Sequence, residues 1–308
     1  MSSGSLRQQL APMSIGTVFE IALRVIGRNG RALLGVALLV VGPSALLAAA
    51  TSVRFSEVLT GILPADAVTA AGAATAVLTA AEVERLGGSA AVVLLASFLS
   101  GVFGLIAAAG SSAVVGADHA GRQIALVTAL WACARRTWTV LGIALVTSLL
   151  TVGIIAAGLG AALAAIVLLS SGPIQAGGPG VFLALVAAVA TVVAVAYLTT
   201  RWAVAVPVAA LEDAGTRSAL VRSWHLTGDN VLRTFAIVAL AALVGAVLSG
   251  LMANLLGIVF ADVLAPALGL EPVVVLTFVS AAAAVLVAPL APVVSAVLYF
   301  DLLGRRGG

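Results

Sequence analysis

The sequence contains no lysine; all fifteen basic residues are arginine, which reads as a compositional bias rather than a mechanism. Charge of either sign is scarce, at 9% of 308 residues. A soluble domain carries about 25%, so this chain lacks the polar side chains needed to cover a water-exposed surface. A single cysteine, Cys133, excludes an intrachain disulfide and a cysteine-based zinc cluster. The two histidines, His119 and His225, fall in different connections without metal-ligand spacing around them. Ser111 and Ser112 have no base beside them, and no glycine pattern reads as a phosphate loop. No catalytic residue, metal site or cofactor-binding site is therefore assigned. The arginines are accounted for by membrane topology, so no basic patch is left over for a nucleic acid.

What is abundant is apolar sequence, 62% of residues with a mean hydropathy of +1.24. Several runs exceed the roughly 20 residues that cross a bilayer. Spans are expected at about 32–53, 89–116, 138–169, from 181, 234–259 and 273–300, giving an all-α polytopic membrane protein with six transmembrane helices. A flexible tail is expected over 1–13 and one membrane domain over 14–308. Because the apolar core belongs to a full-length span, no cleavable leader is expected. Six crossings put both termini on one side. Thirteen arginines then share that side, and only Arg54 and Arg85 lie on the other. The excess of positive charge predicts a cytoplasmic location for the termini in a bacterial inner membrane. Trp131, Trp138, Trp202 and Trp224 fall near the same face, where amphipathic rings anchor.

Short amphipathic helices are expected on that face. In 14–28, Thr17, Glu20, Arg24 and Arg28 oppose an apolar stripe at helical period, with Ser14 as N-cap and Asn29–Gly30 as the stop. Residues 216–227 repeat the pattern, with Ser218, Arg222, His225 and Asp229 polar and Gly228 as C-cap. A weaker third copy is 121–136. LLGVAL (33–38), VLGIAL (140–145) and TFAIVAL (234–240) follow these segments. Three parallel units are expected, at 14–120, 121–214 and 215–308, each an interfacial helix plus two spans. The SSGPIQAGGPG run at 170–180 reads as a loop, and Asp262 to Pro272 as a short acidic loop.

Two constellations stand out. Ala241, Gly245, Ser249, Ala253 and Gly257 recur at four-residue steps, a stripe that lets a neighbouring helix approach along its whole length. It suits an intramolecular contact, a homo-oligomer or a polar cavity. Arg201 is flanked by apolar sequence at a membrane boundary and must snorkel or find a partner. Glu212 and Asp301 are its candidate acids, and Arg222 completes a cluster that would pair internally or hold an anionic lipid headgroup. Pro43, Pro207, Pro289 and Pro292 interrupt spans, which fits either simple kinks or a transporter's broken helices.

PMSIGTVFEIALRVIGRNGRALLG (12–35), RWAVAVPVAALEDAGTRSALVRSWHLTGDNVLR (201–233) and LYFDLLGRR (298–306) resemble a family of uncharacterised actinobacterial integral membrane proteins. That family is also described as the glycerophosphoryl diester phosphodiesterase membrane domain. The catalytic domain's His-Arg-Gly start and clustered acids are absent. The resemblance thus implies a non-enzymatic membrane module with no catalytic residues to carry over. Its expected partners are membrane lipid and a protein or second copy of the chain, with a lipid or small-molecule transporter as the alternative.

Overall fold

The computed structural model describes residues 13–62, 79–169 and 179–307. All of its elements are helical, and six of them are long and apolar enough to cross a membrane. The chain begins with α1 (Ile15–Val36), a short π-helical segment (Ala37–Val41) and α2 (Gly42–Ile62), which together form the first span. Next come α3 (Ala80–His119), α4 (Leu126–Leu169) and α5 (Pro179–Arg201), which continues into α6 (Ala205–Leu211). The chain then runs through α7 (Thr216–Thr227), a 3₁₀ turn (Gly228–Asn230), α8 (Val231–Leu268), α9 (Pro272–Val287) and α10 (Leu290–Gly307).

The first amphipathic helix forms as its pattern dictates. Ser14 Oγ accepts from the Thr17 amide at 3.1 Å, and Glu20 and Arg24 pair across one turn on the exposed side. Val18, Ala22 and Val25 are buried on the other side. Asn29 does not stop this helix. It leaves helical geometry at φ −115°, ψ 20°, and the chain continues through the kink into the span. The Asn29 side chain donates to the Val25 carbonyl and to Asp118 Oδ1, so the kink is tied to the end of α3. Further along, the Gly42 amide reaches back to the Ala37 carbonyl, a π-type bond. It sits immediately before Pro43, which has no N–H to give.

Three boundaries differ from expectation. The 121–136 segment is not a separate interfacial helix: α4 starts at Leu126 and runs unbroken into its span, because nothing there caps or kinks it. Asp262 opens no loop, since α8 continues to Leu268 with Pro266 in its last turn. Gly269 ends it in the left-handed region at φ 65°, where a side chain would be strained. α3 begins at Ala80, closed by a Thr79–Glu82 capping box. At 1.5 Å per residue its forty residues reach about 60 Å, far beyond a bilayer's hydrocarbon core. Residues 1–12 of the expected 1–13 tail and most of the 170–180 loop lie outside the described residues.

Packing is uneven along the bundle axis. The core gathers where α1, α3, α6, α7 and α10 meet, around Val18, Val114, Val208, Leu226, Leu298 and Leu302. The most apolar stretch of the α5–α6 span, which lies within α5, contains no buried residue. Leu94 and Leu149 each keep 70% of their surface. Leaving such side chains in water forfeits roughly 1.5–3 kcal/mol each, whereas acyl chains receive them at no such cost. The sheer number of exposed leucines and valines on the spans is the structural signature of a lipid-facing surface.

Candidate functional site

The polar side chains gather at the end of the bundle where the core is densest, and a broken helix organises them. Pro207 cannot donate a backbone hydrogen bond, and the span breaks at Trp202–Val204 just before it, the Ala205 amide reaching only to the Trp202 carbonyl. This frees the Arg201 carbonyl from the helical ladder. α7 fills the vacancy, with Ser223 Oγ donating to Arg201 O at 2.8 Å and Thr227 Oγ1 at 3.2 Å. Both residues are fully buried, so α7 is fixed to the break by its C-terminal half. Its N-terminal half is fixed by Thr216, whose hydroxyl donates to the Thr139 carbonyl of α4 at 3.2 Å.

The Arg201 side chain returns the contact. Nη1 donates to the Trp224 carbonyl at 3.2 Å. The guanidinium carbon lies 4.3 Å from the Trp224 ring centroid and 5.5 Å from that of Tyr197, one turn earlier on α5. Tyr197 meets Trp224 edge-on at 6.0 Å, and Trp202 lies 6.2 Å away on the other side. Cation–π attraction of this kind is worth roughly 0.5–2 kcal/mol. Arg201 Nε is buried and has no hydrogen-bond partner among the described residues.

The acids expected to neutralise Arg201 are engaged elsewhere. Asp301 is 1% exposed and binds Arg233 Nη2 at 3.0 Å and Arg305 Nε at 3.1 Å. Asp301 Oδ1 also accepts from the Met13 amide at 2.8 Å, while both arginines donate to the Met13 carbonyl. Met13, the last residue of the expected tail, is thus clasped by the final helix. Glu212 accepts from Tyr299 Oη at 2.8 Å and pairs with Arg222 at 3.4 Å. The break after Arg201 turns the chain before Glu212 is reached, which directs that carboxylate toward α10 and α7 instead. Of the proposed cluster, Glu212 and Arg222 meet, and Arg201 and Asp301 join neither them nor each other.

Arg233 and Arg305 were the functional partners missing from the sequence reading. The four-residue step from Asp301 to Arg305 was a legible signal; the 68-residue separation of Arg233 was not. Asp213, with φ 56°, pairs with Arg136 and Arg135 at the α6–α7 turn. Among the described residues no three His, Cys, Asp or Glu side chains gather to hold a metal ion.

The small-residue stripe faces α9. A Cβ added at Gly257 would lie 2.5 Å from Leu276 Cδ2, whereas one at Gly245 would meet Val287 at 3.9 Å, an ordinary contact. Between Ala241 and Ser249 the helices diverge around a cavity of about 280 Å³, walled on the far side by Ala284 and Ala288. The approach is close at one end only.

A family model described as a domain of unknown function, DUF7847, matches residues 13–302. The chain belongs to the DUF7847 family. No curated protein and no solved structure matches it. The matched DUF7847 region starts at Met13 and reaches past Asp301, so Met13, Arg233 and Asp301 of the clasp lie inside it and Arg305 lies just beyond. It also contains the whole Arg201 sandwich and every helix break.

Proposed function

We propose that this DUF7847 protein is a non-enzymatic membrane module that binds anionic lipid at the Arg201 sandwich. The observation that carries the proposal is the unmet charge of Arg201. Among the described residues its guanidinium has aromatic faces and one carbonyl, a buried Nε–H without an acceptor, and no carboxylate within ion-pair distance. A buried donor left unpaired costs about 1–3 kcal/mol, and a lipid phosphate supplies the missing acceptor at the level where Tyr197, Trp202 and Trp224 gather. The likeness of 201–233 to the glycerophosphoryl diester phosphodiesterase membrane domain of actinobacterial proteins supports a lipid-handling module. The arginine asymmetry supports a bacterial cytoplasmic membrane with both termini inside.

Thermal stability in detergent, titrated with phosphatidylglycerol or phosphatidylcholine, tests the assignment. The anionic lipid should stabilise the wild type more, and Arg201→Gln should erase the difference. Equal stabilisation by both lipids would overturn it. Quenching of Trp224 fluorescence by brominated phosphatidylglycerol, lost in Trp224→Phe, gives an independent reading.

A transporter is the second reading. One observation favours it: the π segment Ala37–Val41 packs against α9, whose end is the Ala288–Pro289 break. Adjacent interrupted helices are how transporters build sites at depth. The groove beside that break, however, is lined by alanine, leucine, valine and glycine, with Ser249 as its one hydroxyl.

A further inference from the structure

The arginine-poor end of the bundle carries a second site, and its argument does not rest on Arg201. Near that end α2 and α3 diverge around a cavity of about 410 Å³. Ala50 and Val92 form its apolar wall, and Arg54, Glu57, Thr51 and Ser89 its polar one. Arg54 and Arg85, the two arginines set apart from the other thirteen, both belong to this hairpin. Arg85 lies one turn before Ser89 on α3.

Arg54 and Glu57 stand three residues apart on one helix, the spacing at which opposite charges pair. They form no ion pair here, and neither side chain has a hydrogen bond among the described residues. The two hydroxyls donate into their own helices, Thr51 to Ala48 at 3.0 Å and Ser89 to Leu86 at 3.0 Å. Their oxygens therefore keep lone pairs as acceptors. A cavity whose described lining holds one unpaired cation, one unpaired carboxylate and two accepting hydroxyls suits neither a simple anion nor a simple cation, since each would be repelled by one wall. A zwitterion satisfies both. On a helix, i,i+3 side chains start about 5–6 Å apart, a separation that a phosphate and an amine joined by a two-carbon bridge can span. A primary ammonium brings three N–H donors for Glu57, Thr51 and Ser89; a trimethylated one brings none.

We propose that this cavity binds a phosphoethanolamine headgroup, its phosphate on Arg54 and its ammonium on Glu57, with an acyl chain along Ala50 and Val92. A membrane lipid and soluble glycerophosphoethanolamine both offer the headgroup, and the apolar wall of Ala50 and Val92 favours the lipid.

Native mass spectrometry of the full chain released from detergent, titrated with phosphatidylethanolamine, phosphatidylcholine and phosphatidylglycerol, reads the site. The wild type should retain phosphatidylethanolamine over phosphatidylcholine. Glu57→Gln and Arg54→Gln should each weaken that retention about tenfold, the size of one charge-assisted hydrogen bond. Both positions are exposed, and an unchanged lipid-free melting midpoint confirms that the variants fold. Arg201→Gln should leave phosphatidylethanolamine retention unchanged, which separates this site from the anionic one. Competition by glycerophosphoethanolamine at matching concentration would assign the headgroup to a soluble ligand and overturn the lipid. Equal retention of phosphatidylethanolamine and phosphatidylcholine, or retention unaffected by both variants, would overturn the site itself.

Discussion

Replacing Asp301 by asparagine tests the most consequential contact in the fold. The carboxylate is fully buried, while Arg233 and Arg305 keep 20% and 24% of their side-chain surface. Asparagine preserves the size and can still accept from the Met13 amide, so the loss isolates charge rather than packing. Breaking a buried pair from one side costs roughly 3–5 kcal/mol, because the partner is left desolvated and unpaired. Here two cations would be stranded around one carbonyl, but both reach water, so the lower end, about 3 kcal/mol, is expected. Asp213→Asn is the control. It also removes a carboxylate facing two arginines, Arg135 at 58% and Arg136 at 15% exposure, yet Asp213 itself is 66% exposed where Asp301 is fully buried, and pairs whose carboxylate stays in water contribute about 0–1 kcal/mol. Reversible unfolding in mixed micelles would measure both. An Arg233→Gln/Asp301→Asn cycle should show coupling of about 0.5–3 kcal/mol, whereas Arg201→Ala with Asp301→Asn should be additive. A loss below 1 kcal/mol for Asp301→Asn, or coupling to Arg201, would refute the clasp.

Other substitutions separate the packing contacts. Gly158→Val should destabilise the α4–α5 hairpin by about 1–3 kcal/mol, because a Cβ there would run into Thr191; a neutral melting midpoint would mean the helices are not in close approach. Gly257→Leu should cost more than Gly245→Leu in the same assay, where a uniform stripe would make the two equal. Ser223→Ala with Thr227→Val should cost roughly 1–3 kcal/mol by leaving the Arg201 carbonyl without its two hydroxyl donors, visible as faster proteolysis at the α6–α7 turn. In a Cys133→Ser background, cysteines placed at Arg222 and Arg305 should be labelled from one side of the membrane and one at Glu57 from the other; labelling of all three from one side would refute the six-span path.

Much of the fold was legible because single-chain rules govern it. Ser14 and the Glu20–Arg24 step act over one turn, so the sequence shows them directly, and apolar length alone marks the six crossings. Asn29 was read as a helix stop, whereas the chain kinks there and continues, tied to Asp118, 89 residues away. Helix ends were least legible where apolar or mixed sequence runs past the bilayer. α4 absorbs residues 126–136 and α8 passes Asp262 because no cap, glycine or strained turn intervenes there. The site was half legible. Arg201 was conspicuous because it was charged in apolar sequence. The partner choice, a tryptophan carbonyl and two aromatic faces over two acids, depends on a chain reversal set by Pro207 and by buried hydroxyls on α7.

The placement of the breaks gives that reversal its meaning. At Trp202–Val204 the exposed backbone is immediately answered by Ser223 and Thr227, and the result is a rigid joint with a charged side chain at its rim. At Ala288–Pro289, Pro289 and Pro292 together withdraw two amide donors from the ladder. The side chains lining the nearby cavity include one hydroxyl, that of Ser249, on the facing helix. An unsatisfied carbonyl in hydrocarbon is costly, so the second break must draw on lipid-borne or water-borne donors, or on local tightening such as the 3₁₀-type bond from the Ala288 amide to Val285. The two breaks therefore differ in kind: one is held by protein hydroxyls beside the Arg201 side chain, and the other by a 3₁₀-type backbone bond. A protein that only anchors lipid needs the first. Serine or alanine in place of Pro289 restores a donor and should straighten α9 into α10. If anionic-lipid stabilisation survives that change while Arg201→Gln removes it, binding resides in the locked joint. If Pro289→Ala abolishes it instead, the break at Pro289 is the working element and the transporter reading takes precedence.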